Sequence, residues 1–429
     1  MVSNRKNKFK KDLNVVSLFT GCGGMDLGFE GDFEILKKSI NTKIHPEWNI
    51  PSTKRGWVRL PSTRFKTIFA NDIVPSARAT WLPYFSKRGN TQSDFHLESI
   101  VDLVKRKKSG DSKIFPRADV VTGGFPCQDF SVAGKRKGFK SHKAHHGKLL
   151  SHIDNPTEEN RGKLYMWMKH AIEIIKPKVF IAENVKGLAS LSYEKKVIEN
   201  DFRKIGSGYL VVDAQVLYAP MFGIPQSRER VFFIGFRKNA LKTKALLELS
   251  KSNYSDDFNP YPKPTHGLNG SSRASSEGLK PYVTVSDCFL NLREPENSND
   301  LSQQSYSKAR WYGTHCQGQT EIDLGGVGPT IRAEHHGNIE FRRLSLEHGG
   351  KYKHELDKGL KERRLTVREC LRIQSFPDDF EFVRKHSTLG KDYKVSPSDG
   401  YKLIGNAVPP LLAFNIAWRL QELWPKIMK

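Results

Sequence analysis

The apolar run Asn14–Phe19 (NVVSLF) stops abruptly at Thr20-Gly21-Cys22-Gly23-Gly24. A buried strand, a tight glycine turn and a helix start are the local structures that suit this order of residues. The pattern recurs along the chain. Thr67–Ala70 ends at Asn71-Asp72, Asp119–Thr122 at Gly123-Gly124-Phe125-Pro126-Cys127, and Lys178–Ala182 at Glu183-Asn184. Tyr209–Leu217 and Val231–Phe236 read as further strands, and Tyr165–Ile175 carries a helical apolar period. Strands alternating with helices predict an α/β fold with a parallel sheet. The polar residues then fall just past the carboxyl ends of strands, where ligands bind in open sheets of this kind.

The chain has 429 residues, enough for one large domain and one smaller one. Its net charge is +24, which points to a polyanionic partner such as nucleic acid. No apolar run approaches a membrane span, and the basic start MVSNRKNKFKK has no apolar stretch behind it, so neither a membrane protein nor a secretion signal is expected. The five cysteines include no CxxC pair, which argues against a zinc site or a disulfide framework. A cytoplasmic location is expected, with any reactive thiol kept reduced. From residue 239 to about 320 the chain becomes rich in Ser, Asn, Gly, Pro and Lys. This stretch is too long for a linker and reads as a domain of β and irregular structure. Helical order returns at Thr366–Gln374 and Pro410–Leu423.

The glycine turn carries Gly21-x-Gly23-Gly24, with Asp26 where a dinucleotide fingerprint has its third glycine. That substitution and the charge disfavour an NAD-dependent enzyme. Asp72, at the end of the next strand, is placed to accept hydrogen bonds from ribose hydroxyls, and Ile73 to cover an adenine face. Cys127, Glu183 and the guanidinium of the Gln226–Arg230 segment (QSRER) are the groups needed to attack a cytosine ring. A thiolate added at C6 makes C5 nucleophilic, a carboxylic acid quenches the charge at N3, and an arginine stabilises it at O2.

In order and spacing these motifs resemble the DNA (cytosine-5) methyltransferase family, over about residues 14–238 and 328–420. The resemblance implies an S-adenosylmethionine-dependent, Rossmann-like sheet with a smaller, mostly β and irregular target recognition domain. It implies residues 1–238 as the catalytic domain, completed by 396–429, and 239–395 as the recognition domain. Phe19, Gly21, Cys22, Gly23 and Gly24 match the turn that binds S-adenosylmethionine, with Asp72 on the ribose and Ile73 on the adenine. Asn406 and Ala407, in a segment similar to the family's tenth motif, complete that pocket. Cys127, Glu183 and Arg228 take the three catalytic roles. Pro126, Gln128, Asn184 and Arg230 are implied on the substrate side, Arg230 as a supporting arginine. Arg364–Glu369 with Arg372–Pro377 looks like the motif that braces the recognition domain, and Gly328–Arg332 like a threonine-containing segment near its end.

The chain departs from the family pattern at two points. Ser17 stands where the family often has an acid. The aspartate that usually meets the adenine amino group has no clear match, and His96, Leu97 or Glu98 stands near its place.

By the same resemblance the partner is double-stranded DNA, whose target base must be flipped out to be reached. A monomeric prokaryotic enzyme paired with a restriction endonuclease is expected, since few residues precede the first strand. A tRNA methyltransferase of the same family is disfavoured by the absence of a Cys-Phe-Thr tripeptide. A non-catalytic relative is disfavoured because Cys127 and Glu183 are both present. Two inserts are noted. One, near 139–160, has scattered histidines and reads as a loop without metal, following Lys135-Arg136-Lys137. The other, near 37–64, carries Trp48, Lys54, Arg55 and Trp57, and either touches DNA or decorates the surface.

Overall fold

The computed structural model describes residues 11–126 and 164–429, less 191, 207, 269, 271, 273–275, 334–337 and 387–391. Eight strands form one sheet: β1 (Leu13–Leu18), β2 (Phe65–Asp72), β3 (Phe95–Leu97), β4 (Val120–Gly124), β5 (Val179–Val185), β6 (Tyr209–Val211), β7 (Gln215–Tyr218) and β8 (Glu229–Arg237). Their spatial order is β7-β8-β5-β4-β1-β2-β3, with β6 also paired to β8. The pairs β1–β2, β1–β4, β2–β3 and β4–β5 are parallel, and β8 runs antiparallel to β5. The chain leaves β1 for one side of the sheet and later returns to its other side as β4. That reversal opens a crevice past the carboxyl ends of β1 and β4.

The helices follow the strands: α1 (Gly24–Glu30), α2 (Pro75–Phe85), α3 (Ile100–Lys108), α4 (Leu164–Ile175), α5 (Lys186–Ser190) and α6 (Ser192–Arg203). Side chains of each strand alternate between two cores. Leu13 and Val15 of β1 enter one core with Leu27 of α1 and Trp81 of α2, while Val16 and Leu18 enter the other with Val101 of α3 and Met168 of α4.

The α/β reading therefore holds, with corrections to single elements. Tyr209–Leu217 is two strands, β6 and β7, split near Asp213. β5 runs three residues past Ala182, so Glu183 and Asn184 belong to the strand itself. The short strand β3 and helices α2, α3 and α6 had no sequence reading. Pro83 lies inside α2 and weakens its helical signal.

Residues 239–327 contain short helices at Thr243–Leu249, Val285–Cys288 and Leu301–Gln304 and two-residue strands, consistent with an irregular reading. Charged side chains knit the segment beyond. Arg363 pairs with Glu294 and with Glu369, the latter in α7 (Val367–Ile373). Arg364 is fully buried and donates to the carbonyls of Ala309, Arg310 and Gly318. Two last helices, α8 (Pro397–Asn406) and α9 (Pro410–Ile427), return to the sheet, α9 against α1.

The insert near 37–64 is part of the scaffold. Trp48 is buried, stacks on His45 and meets Phe414 of α9 edge-on; Trp57 is buried beneath Lys54 and Arg372. Lys54 also pairs with Asp378. No helix of the described residues is long and apolar enough to cross a membrane.

Candidate active site

The crevice holds a cavity of about 330 Å³ between the ends of β1, β2, β4 and β5, closed on one side by the α8–α9 junction. Of the residues expected to hold a cofactor, Phe19, Gly21, Gly24, Asp72, Ile73, Asn406 and Ala407 line it. Gly21 has φ +56°, and a Cβ there would meet no protein atom within 4 Å, so the turn leaves open space toward the cavity. Gly23 has φ +89°, and a Cβ there would come within 2.6 Å of the Trp81 ring. Cys22 turns inward, its thiol 3.7 Å from the Leu403 carbonyl. Burial, with the charges of Asp26 and Asp72, pushes that thiol far above its usual range.

Asp72 accepts from the backbone N–H of Gly21 at 2.8 Å and of Val74 at 3.0 Å, which fixes the glycine turn against β2. A carboxylate has about four lone-pair sites, so acceptor capacity stays available to a ligand's hydroxyls. Burial raises its pKa. Ile73 beside it is 47% exposed, an apolar face turned outward. Beyond β3, the wall consists of Ser99 and Ile100. None of His96, Leu97 and Glu98 lines the cavity: His96 stacks on Phe69, and Glu98 pairs with Arg106. Ser99 caps α3 by accepting from Val101 N–H, and the S-x-x-D pattern at Ser99–Asp102 is the sequence signal that would have marked this turn.

Asp26 is buried below the glycine turn. Its carboxylate accepts from the Ser17 hydroxyl at 2.5 Å, from the Thr20 hydroxyl, and from the Trp81 indole N–H at 2.8 Å. Ser17, the family departure, is thus a donor to an acid held in α1. Burial pushes the Asp26 carboxyl up to about 6, against the pull of those three donors.

At the other end of the cavity lies Glu183, 6% exposed. Its Oε1 is 2.9 Å from Nε of Arg230. Burial raises the Glu183 pKa and outweighs the opposing charges of Arg230 and Arg228. A Cβ on Gly124 would come within 2.7 Å of its Oε2, so the carboxylate packs on bare backbone of β4. Asn184 donates to the Phe125 carbonyl at 3.1 Å and so holds the chain entering Pro126, which lines the cavity. Cys127, Gln128, Lys135–Lys137 and the histidine-bearing insert lie outside the described residues.

Arg228 lies apart from the cavity. It is fully buried and does not line the cavity; its guanidinium donates to the carbonyls of Ile331, Gly405 and Ala407 at 2.8–3.1 Å. Spacing of two would put Arg228 and Arg230 on one face of an extended strand. The strand, however, begins at Glu229, and the chain is bent before it by Arg228 N–H bonding to Gln226 O and Ser227 N–H to Gly328 O. Arg228 therefore braces the 331 and 405–407 segments, and Arg230 is the guanidinium at the carboxylate. Thr330 reaches back to the Ser227 carbonyl, and Gln226 to Gln374.

Comparison with known proteins adds to this geometry. The sequence profile described as C-5 cytosine-specific DNA methylase matches residues 13–422. The Type II methyltransferase M.BspRI of Lysinibacillus sphaericus is 32% identical, over 100% of this chain and 86% of its own length. M.BsuRI of Bacillus subtilis is 30% identical, over 96% of this chain and 80% of its own length. Among solved structures, a prophage-encoded DNA modification methyltransferase from E. coli superimposes with a TM-score of 0.55 at 20% identity, covering 96% of this chain and all (100%) of its own. The S. pombe Dnmt2 methyltransferase does so with 0.52 at 17% identity, covering 96% and 99%. These two likenesses concern the fold.

Proposed function

The chain belongs to the C-5 cytosine-specific DNA methylase family and is a DNA (cytosine-5)-methyltransferase; from that premise we propose a specific reaction for it. It transfers a methyl group from S-adenosylmethionine to C5 of a flipped-out cytosine at a defined sequence in double-stranded DNA. Its role is to protect that DNA within a restriction-modification pair, whose endonuclease acts on the same site. The observation that carries this reading is the buried Glu183 carboxyl, held above its usual pKa, with the Arg230 guanidinium 2.9 Å away at one end of the cavity.

The residues present fit the cofactor. The open space at Gly21, the remaining acceptor sites of Asp72 and the apolar face of Ile73 suit backbone approach, a ribose and an adenine, with Ser99 and Ile100 beside the base. Asn406 and Ala407 close the pocket. When bound, this cofactor supplies an electrophilic methyl group.

The protein's part follows from its side chains. Cys127, as the thiolate, adds to C6 of the flipped cytosine, with Pro126 and Gln128 on the substrate side. Glu183 in its acid form gives its proton at N3 as charge develops there. Arg230 donates to O2, the role that the resemblance implied for Arg228. Asn184 keeps the turn into Pro126 in register by holding the Phe125 carbonyl. After methylation a base or water takes the C5 proton, Cys127 leaves as thiolate while the C5–C6 double bond reforms, and the N3 proton returns to Glu183.

The test is base-resolution mapping of 5-methylcytosine in DNA from cells expressing the chain, beside Cys127→Ala. Methylation at one short motif, present only with Cys127, is the expected result. Unmethylated DNA with soluble protein would overturn it.

A further inference from the structure

We propose that the amino end of the sheet, opposite the cavity, is a second docking surface for double-stranded DNA, so that one chain holds two duplex segments at once. This rests on the DNA partner of the function proposed above, which places the first segment at the carboxyl ends of the strands.

The strands are level at the amino end. Val15 of β1, Val120 of β4, Val179 of β5, Phe236 of β8 and Leu210 of β6 form one register row. A few residues beyond that row the chain places Lys11 before β1, Arg117 before β4, Lys176 before β5, Lys204 before β6 and Lys238 after β8. All five are exposed, and among the described residues none of them makes an ion pair. Further cations lie in the same turns. Arg64 donates to the Lys11 carbonyl, Arg237 to that of Lys176, and Lys178 pairs with Asp119 at 3.0 Å. The acids of these turns are Asp12 and Asp119, and Asp119 is already occupied by Lys178 and the Asn14 N–H. The same contacts tie the turns to one another and hold the cations along one edge.

Neighbouring strands lie about 4.8 Å apart, so five strands carry the row across about 20 Å. Duplex DNA bears one charge per about 1.7 Å of its axis, and each phosphate met by a cation releases counterions. The six residues of β1 rise about 20 Å between this edge and the cavity, so a duplex engaged at the cavity leaves the row uncovered. Among the described residues these turns expose no large aromatic ring, the stacking platform that single strands use. Once the chain is on a long DNA, other segments of that molecule are the polyanion at highest local concentration. The row meets phosphates without regard to sequence, and lets the chain pass from one segment to another without release.

The experiment titrates a short duplex of arbitrary sequence into the purified full chain at low salt, with the mass of each complex read by light scattering. The variant carries Lys11→Gln, Arg117→Gln, Lys176→Gln, Lys204→Gln and Lys238→Gln together. The expected result is two duplexes on one unmodified chain and one on the variant. Affinity for the second duplex should fall with salt at a logarithmic slope of about −4 to −5. Single-turnover methylation of a short duplex carrying the mapped motif should stay unchanged in the variant, because the row does not touch that duplex.

One duplex per unmodified chain, or two still held by the variant, would overturn the proposal. So would equal weakening of both duplexes, which is the effect of net charge rather than of a site. Displacement of the second duplex by RNA at lower concentration than by DNA would overturn the choice of partner. Should the fivefold variant aggregate, Lys176→Gln with Lys238→Gln decides, and the slope for the second duplex should then shrink by about 2. A chain that methylates DNA yet takes one duplex sinks this inference alone. A chain that takes two and leaves DNA unmethylated sinks the reaction and keeps the surface.

Discussion

Nε of Arg230 lies 2.9 Å from Oε1 of Glu183, with both side chains largely buried. Arg228, two residues earlier, faces three backbone carbonyls instead. The two arginines should therefore fail differently. Arg230→Ala is expected to lower kcat by roughly a hundred- to a thousandfold, the usual effect of losing one donor to a developing charge, in a protein that stays folded. Arg228→Ala removes the donor to the Ile331 and Gly405 carbonyls and one of two donors to that of Ala407, which keeps Gln374, and should cost about 3 kcal/mol of stability. Thermal melts alongside single-turnover rates separate the two. A stable, inactive Arg228→Ala with an active Arg230→Ala would reverse the assignment.

Gly124 gives Glu183 its place. An added Cβ would approach Oε2 to 2.7 Å, so Gly124→Ala should displace the carboxyl. We expect kcat to drop at least tenfold, with a change in melting temperature of only a few degrees. Rates within twofold of the unmodified chain would show that the carboxyl can move without loss.

The raised pKa of Glu183 has a definite sign. The folded chain takes up this proton more readily than the unfolded chain, so ionisation opposes folding. Its contribution is complete below the ordinary carboxylate pKa and is lost as pH rises through the raised value. The acid form also declines over that rise, and kcat should decline with it. Glu183→Gln should flatten this part of the stability profile in denaturant titrations across pH. An unchanged profile would mean that Glu183 ionises normally.

His266 shows the opposite linkage. It is fully buried, its Nε2 donates to the Lys38 carbonyl at 2.9 Å, and its Nδ1 accepts from the Thr265 hydroxyl. Burial holds its pKa down to about 4. The neutral ring's stability is present above the unfolded value of about 6.5 and is lost as pH falls toward the folded one. Between about pH 7 and pH 5 the loss should approach 2 kcal/mol. His266→Gln should lose much of this dependence, read from denaturation midpoints at the two pH values. Since His266 binds the insert through Lys38, cleavage of residues 37–64 by protease should rise over the same range.

Much of the site was legible because its chemistry is local to strand ends. An apolar run that stops at Asp72 or Glu183 marks both a buried strand and the polar group it delivers, and glycines at 21 and 23 mark a turn that other residues would strain. The α/β order followed from the same alternation. What sequence spacing could not decide depended on where elements begin, bend and meet. Arg228 and Arg230 share a parity, and only the bend before Glu229 and the carbonyls of Ile331, Gly405 and Ala407 separate their roles. Ser99 replaced His96, Leu97 and Glu98 because β3 ends before the turn that faces the cavity. Asp26 looked like a missing glycine; three donors from β1, the turn and α2 make it a buried carboxylate under the site. Trp48 and Trp57, on an insert of no evident purpose, proved to be core. Residue type and local pattern determined which groups this protein brings to the ends of its strands. Only tertiary packing decided which of them meet, because burial and charge pairing arise between segments far apart in the chain.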